Sequence, residues 1–172
     1  NNVLEINRSE YFEHPAWIDK NEILYGVRDT NKNSIYKYNL LSKKSKKLNV
    51  NIYGAIAHVN KSNIFFAGYK SIKAPINIYK LDQINNKVSQ ITNDHYEKWR
   101  PIVSNDILYF IKKIDGKFKL SMINLLNGRE ELLIQEEDDI WDPSISQSGK
   151  VMAYATRKNE NFLIKIIDMK NN

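Results

Sequence analysis

The chain has 172 residues, of which 42% are apolar and 11% aromatic, and its formal net charge is +6. This length is typical of one domain with a buried core, and the composition excludes a disordered chain. The absence of cysteine excludes disulfides, thiolate metal sites and cysteine nucleophiles, and no apolar run is long enough to span a membrane.

The basic excess is divided between local patches. Lysines cluster in residues 43–47, whereas glutamates and aspartates cluster in residues 130–139. Patches of opposite sign are typical of solvated loops and strand edges, while a nucleic-acid surface needs a continuous basic track. We therefore expect no nucleic-acid partner.

One pattern occurs four times along the chain. Pro15, Ala57, Pro101 and Pro143 hold equivalent places, at spacings of 42, 44 and 42 residues. Short runs rich in Ile, Tyr, Phe and Val follow each of them, and such runs indicate β-strands. The repeats span approximately residues 10–49, 50–92, 93–135 and 136–172.

The predicted strands follow in chain order. The first repeat has 15–18, 23–28, 35–40 and 46–48; the second has 55–57, 64–69, 76–81 and 88–91; the third has 99–103, 107–112, 118–124 and 131–134; the fourth has 141–146, 151–157 and 162–168. Asparagine and aspartate, which tolerate left-handed turns, separate many of these runs. Each repeat thus predicts a small antiparallel sheet.

The fourth repeat has three strands, and residues 3–6 resemble the missing fourth strand. Four strands at a period near 42 residues are typical of a β-propeller blade. We therefore predict an all-β domain covering residues 1–172, a small β-propeller of four four-stranded antiparallel blades. The N-terminal strand 3–6 is expected to pair beside 162–168 and to close the last blade.

An aromatic residue recurs in the second strand of every repeat. These residues are Tyr25, Phe66, Tyr109 and Tyr154. We expect them to include buried residues that pack between neighbouring blades.

The third and fourth repeats share a short motif, which reads Trp99-Arg100-Pro101 in one and Trp141-Asp142-Pro143 in the other, the second followed by Ser148-Gly149-Lys150. With this motif the two repeats resemble the TolB-type propeller family. The second repeat departs from the family pattern with Ala57 in place of proline, and most members have six or seven blades. The resemblance implies a propeller fold and a binding or scaffold role more often than a reaction.

Catalytic motifs are weak in this sequence. His14 and His58 begin predicted innermost strands and His95 lies in a connecting loop, but no carboxylate recurs in register with them. The serines show no nucleophile motif. We expect no catalytic residue, no metal site and no cofactor.

Equivalent positions of the blades should converge around the axis of a ring. The second strands end at four such positions, Arg28, Tyr69, Lys112 and Arg157, which we name the collar. The flanking residues are His14, Arg100, Trp141 and Asp142. Arginine and aromatic side chains are enriched in binding hot spots, although Trp99 and Trp141 could equally pack between blades. This set is the predicted ligand or partner site.

The sequence favours a non-enzymatic binding module that acts as a monomer on a protein or peptide partner, with an acidic segment preferred. Two alternatives remain open. One is a propeller lyase or hydrolase acting on an anionic glycan or peptide, and the other is a propeller segment of a larger, peptidase-like protein. The TolB resemblance and the absence of cysteine favour a bacterial protein of the periplasm or the cell surface.

Overall fold

The computed structural model describes residues 11–169, apart from 30–31, 51, 61, 72, 135–137 and 159–160. At 11–14, 28–29, 32–33, 53–58 and 158 it describes the backbone alone. The described chain forms fifteen strands, which confirms the predicted all-β class. Within these residues no helix is long and apolar enough to cross a membrane.

The strands form four antiparallel sheets, each built in chain order from one repeat. Sheet one contains β1 (Tyr11–Trp17), β2 (Glu22–Asp29), β3 (Lys32–Asn39) and β4 (Lys44–Lys47). Sheet two contains β5 (Tyr53–Asn60), β6 (Asn63–Tyr69), β7 (Asn77–Asp82) and β8 (Lys87–Gln90). Sheet three contains β9 (Lys98–Ser104), β10 (Ile107–Ile114), β11 (Lys117–Asn124) and β12 (Glu130–Ile134). Sheet four contains β13 (Ile140–Ile145), β14 (Val151–Lys158) and β15 (Asn161–Asp168).

The sheets pack face to face like propeller blades. β1, β5, β9 and β13 contact one another in succession, so they are the innermost strands. This arrangement confirms the four-bladed propeller. The predicted closing strand, residues 3–6, lies outside the described residues, and within the described part β15 pairs with β14 alone.

Turns between the strands depend on asparagine, aspartate and glycine, as the sequence predicts. Asn86, Asn105, Asp106 and Asp115 all have positive φ in hairpin turns. Asparagine and aspartate adopt this conformation more readily than other non-glycine residues, because their short polar side chains can hydrogen-bond locally. Gly149 has a positive φ too, and a Cβ there would lie 2.6 Å from the Ser104 hydroxyl of the neighbouring sheet, which would have to shift.

The core lies between the sheets and is divided into successive layers. Between sheets one and two, Leu24 and Ile35 pack with Ile64 and Phe66. Phe65 and Ile78 of sheet two pack with Leu108 and Phe110 of sheet three. Tyr109 and Leu120 of sheet three pack with Met152 and Tyr154 of sheet four. The middle strands of sheets two and three are therefore covered on both faces.

The recurrent aromatic residues are buried, as predicted: Tyr25, Phe66, Tyr109 and Tyr154. The alignment is one residue out of register in sheet three. Phe66 and Tyr154 pack against the sheet that precedes their own. In β10 the residue that packs against the preceding sheet is Phe110, whereas Tyr109 packs against the following sheet. A slip of one residue reverses the face of a strand because side chains alternate.

Candidate functional site

Each innermost strand carries a register shift near its beginning. In β1 it lies between Glu13 and Ala16, in β5 between Gly54 and Ile56, and in β13 between Trp141 and Ser144. In β9 it lies opposite the step from Tyr109 to Ile111. Such bulges re-aim side chains at the rims of closed sheets and beside binding sites. Here they place unpaired residues at one end of the axis.

Two bulge residues have strained backbones. Arg100 in β9 has φ 52° and Asp142 in β13 has φ 47°. The other described non-glycine residues with positive φ lie in turns between strands. A left-handed residue of this kind costs about 1–2 kcal/mol, and such strain concentrates where a side chain must point in a particular direction.

Arg100 and Asp142 form an ion pair between neighbouring innermost strands. Arg100 Nη1 lies 2.8 Å from Asp142 Oδ1, and the two side chains are 35% and 62% exposed. An exposed pair of this kind stabilises a fold by about 0–1 kcal/mol, which does not offset the strain of two left-handed residues. The ion pair alone therefore does not explain why these two residues are strained. We name these two residues, with their solvent-facing groups, the axial pair.

The two tryptophans that precede the axial pair have different environments. Trp99 packs in the layer between sheets three and four, and its indole Nε1 is buried without a hydrogen-bond partner in the described structure. Trp141 stays partly exposed, with its ring centroid 4.4 Å from that of Phe118. Trp99 is thus packed between the two sheets, whereas Trp141 contacts Phe118 of sheet three and stays partly accessible beside Asp142.

A buried polar network supports the loop that leads into β9. The ammonium of Lys98, a fully buried residue, pairs with the Asp94 carboxylate and donates to the backbone carbonyl of Tyr96 at 2.8 Å. Lys112 Nζ lies 2.8 Å from Asp94 Oδ2 and 2.6 Å from Glu130 Oε1. Because β9 carries Arg100 two residues after Lys98, this network lies next to the axial pair along the strand.

The charges of this network are shifted by burial and by one another. Burial acts most strongly on Asp94 and raises its pKa, but hydrogen bonds from Lys112, Lys98 and a backbone N–H outweigh it and lower the pKa from 3.8 to about 2. Burial lowers the pKa of Lys98, and Asp94 offsets part of that change. Burial also acts to lower the pKa of Lys112, but its two carboxylate partners raise it above the ordinary value.

Acid should weaken the fold through Asp94. Its pKa is depressed in the folded chain, so its contribution is complete above the unfolded pKa of 3.8 and is lost as the pH falls through about 2. We expect the free energy of unfolding to decrease across that window by about 2 kcal/mol from this group. Urea unfolding of the wild-type chain and of Asp94→Asn measures it. The difference between the two chains should shrink as the pH falls, and a constant difference would contradict the assignment.

The collar residues do not share one environment. Strand pairing gives Arg28, Tyr69 and Arg157 the same register in their sheets. The equivalent residue of β10 is Lys113 and not Lys112. Lys113 lies opposite Phe118, just as Arg157 lies opposite Phe162. Lys112 points to the other face, where Asp94 and Glu130 hold it.

The second strand of each sheet also lies one strand further from the axis than the innermost strand. Arg157 is exposed, with its guanidinium 5.9 Å from the ring centroid of Phe162. Tyr69 is half-buried, and the side chain of Arg28 lies outside the described residues. Of the predicted site, the structure thus brings together Arg100 and Asp142, with Trp141 beside them.

Of the three histidines, the structure describes the side chain of His95 alone. The side chains of His14 and His58 lie outside the described residues. His95 is exposed, and its ring centroid lies 4.1 Å from that of Tyr96. Within the described residues no group of three His, Cys, Asp or Glu could hold a metal ion.

Comparison with known proteins relates this fold to other propellers. No protein-family model and no curated protein matches the sequence. TolB from Acinetobacter baumannii matches with a TM-score of 0.80 at 21% identity, over 97% of this chain and 43% of that one. A putative TolB from Agrobacterium tumefaciens matches with a TM-score of 0.70 at 14% identity, over 95% of this chain and 79% of that one.

An enzyme has a related fold at lower similarity. An oligogalacturonate lyase in complex with manganese matches with a TM-score of 0.63 at 8% identity, over 86% of this chain and 48% of that one. The molecule is thus a β-propeller, and its fold is similar to that of TolB. The chain spans less than half the length of the Acinetobacter protein.

Proposed function

We propose that this chain is a non-enzymatic binding module that holds a carboxylate-bearing peptide or protein segment at the axial pair. The observation that carries the proposal is the ion pair between Arg100 and Asp142, two strained residues on adjacent innermost strands. The Asp142 side chain is exposed and that of Arg100 is partly exposed. Residues kept in an unfavourable backbone conformation for a weak surface pair are better explained by binding than by stability.

Asp142 acts as a placeholder in this proposal. In the free protein its carboxylate neutralises Arg100, and a carboxylate of the partner replaces it on the guanidinium. Guanidinium and carboxylate groups form strong, directional hydrogen bonds, which gives the exchange its specificity. Trp141, partly exposed beside Asp142, offers the apolar contact that a bound peptide segment would cover.

Two substitutions at the axial pair should change binding in opposite directions. Short capped peptides, in which glutamates are replaced one at a time by glutamines, serve as probes in isothermal titration calorimetry. Arg100→Gln should weaken binding of the glutamate peptide at least tenfold, because the cation is lost, whereas Asp142→Asn should tighten it by removing the competing carboxylate.

Arg129 supplies the matched control, since it is a well-exposed arginine that pairs with Glu131 at 2.8 Å, outside the innermost strands. Arg129→Gln should bind like the wild-type chain. Equal weakening by Arg129→Gln and Arg100→Gln would contradict the proposal, and so would weaker binding by Asp142→Asn.

A propeller lyase or hydrolase is the second candidate, and the fold similarity to an oligogalacturonate lyase favours it. An anionic glycan would meet the same Arg100 cation. Incubation of the chain with acidic oligosaccharides and acidic peptides separates the two functions, because a binding module returns them intact and an enzyme yields products.

The binding proposal includes a location in the bacterial periplasm or on the cell surface. Cell fractionation tests this location.

A further inference from the structure

Sheet four presents an apolar face that no other described strand covers. Phe162, Ile164 and Ile166 alternate along β15 and are 71%, 72% and 71% exposed. The residues paired with them in β14 include Ala153 and Ala155, which are small, and Val151 lies at one end of the same face. We name the face formed by Phe162, Ile164 and Ile166 the open face.

Equivalent positions in the other sheets show what this face is suited to. Ile35, Ile78, Leu120 and Ile164 occupy the same register, opposite Gly26, Ala67, Ile111 and Ala155 of the second strand. The first three are 1%, 0% and 0% exposed because the following sheet packs on them, whereas Ile164 is 72% exposed. The open face therefore has the composition of a sheet-to-sheet interface. Exposed apolar patches rimmed by polar residues mark interaction sites.

Charges at the two ends of the open face are of opposite sign. Arg157 lies opposite Phe162 at one end, and Asp168 lies opposite Val151 at the other. Both side chains are exposed. When two such faces meet about a two-fold axis with their β15 strands antiparallel, the Arg157 end of one copy lies beside the Asp168 end of the other. The face is thus complementary to itself in both charge and hydrophobicity.

We propose that the open face is the interface of a homodimer, with the sheet-four face of one copy packed on that of a second copy. This inference concerns a different surface from the axial pair and is independent of the proposed binding function. It differs from the monomer expected from the sequence, an expectation that rested on a ring closed by residues 3–6. The open face is two strands wide, whereas a standard interface buries roughly 800 Å² per partner, so we expect a weak, concentration-dependent dimer.

Sedimentation velocity of the purified chain, from micromolar to hundreds of micromolar, tests the dimer. The wild-type chain should shift from monomer to dimer across this range. Ile164→Lys should abolish the shift, because a buried, unpaired ammonium is costly. Leu126→Lys is the matched control, because Leu126 is an apolar residue at least as exposed as Ile164 and lies in the hairpin between β11 and β12. This variant should dimerise like the wild-type chain.

Charge exchange tests the orientation of the two copies. Arg157→Asp and Asp168→Arg should each weaken the dimer, and the double variant should restore it. A chain that stays monomeric at every concentration would overturn the proposal and leave the open face for another occupant, such as a further sheet of a longer propeller. A dimer that Ile164→Lys does not dissociate, or one that the double variant does not restore, would overturn it too.

Discussion

Replacement of Asp94 by alanine is expected to lower the free energy of unfolding by about 3–5 kcal/mol, the usual cost of leaving a buried charge without its partner. Lys98 is fully buried, and its ammonium depends on the Asp94 carboxylate. The side-chain oxygen of Asn77, 3.4 Å from Lys98 Nζ, cannot replace a charge. Chemical denaturation monitored by circular dichroism measures the loss.

Two further variants show whether the loss comes from the stranded cation. Asp94→Ala combined with Lys98→Met removes both charges and should recover most of the lost stability, because a buried pair can often be replaced by apolar residues at little cost. Glu131→Ala breaks the exposed pair with Arg129 and should cost less than about 1 kcal/mol. A double variant no more stable than Asp94→Ala would show that Lys98 does not need the carboxylate.

Phe66→Ala should also cost about 3–5 kcal/mol, since it removes a fully buried ring from a packed layer. The ring packs against Leu24 and Ile35 of sheet one and stacks on Tyr79, with 5.7 Å between the ring centroids. Its removal therefore leaves a cavity between two sheets as well as losing apolar contact. Thermal or urea unfolding measures the change.

Phe162→Ala is the matched control for Phe66, because it deletes the same ring from an exposed position. It should cost less than about 1 kcal/mol when measured on the diluted monomer. Similar losses for the two variants would mean that the layer between sheets one and two does not hold the blades together.

The repeat and its turns could be predicted from the sequence because their signals are local. Asparagine and aspartate between apolar runs indicate tight turns, and Asn86, Asn105 and Asp115 do have positive φ. Four units of one pattern then imply a propeller, since a single four-stranded sheet cannot bury both its faces.

The register within a strand could not be predicted where both faces are buried. Residues 107–111 are Ile, Leu, Tyr, Phe and Ile, with no polar residue to distinguish one face from the other. Alternation fixes the register only when one face is polar. For this reason Tyr109 was aligned where Phe110 belongs, and Lys112 was aligned where Lys113 belongs.

The candidate site was predicted in part. Arg100 and Asp142 were identified from their places in the repeat, but nothing in an arginine or an aspartate indicates a left-handed backbone inside a strand. The network of Asp94, Lys98 and Glu130 was missed because it joins a loop, an inner strand and an outer strand. The one sign of this network in the sequence was Lys98, a charged residue directly before Trp99 at the beginning of a predicted strand.

A double-mutant cycle on the binding free energy tests most directly whether Arg100 meets a carboxylate of the partner. The cycle combines Arg100→Gln in the protein with glutamate-to-glutamine replacement in the probe peptide. Because both changes remove the same ion pair, we expect non-additive losses with a coupling energy of about 1–3 kcal/mol for one glutamate position. Additive losses at every glutamate would contradict it.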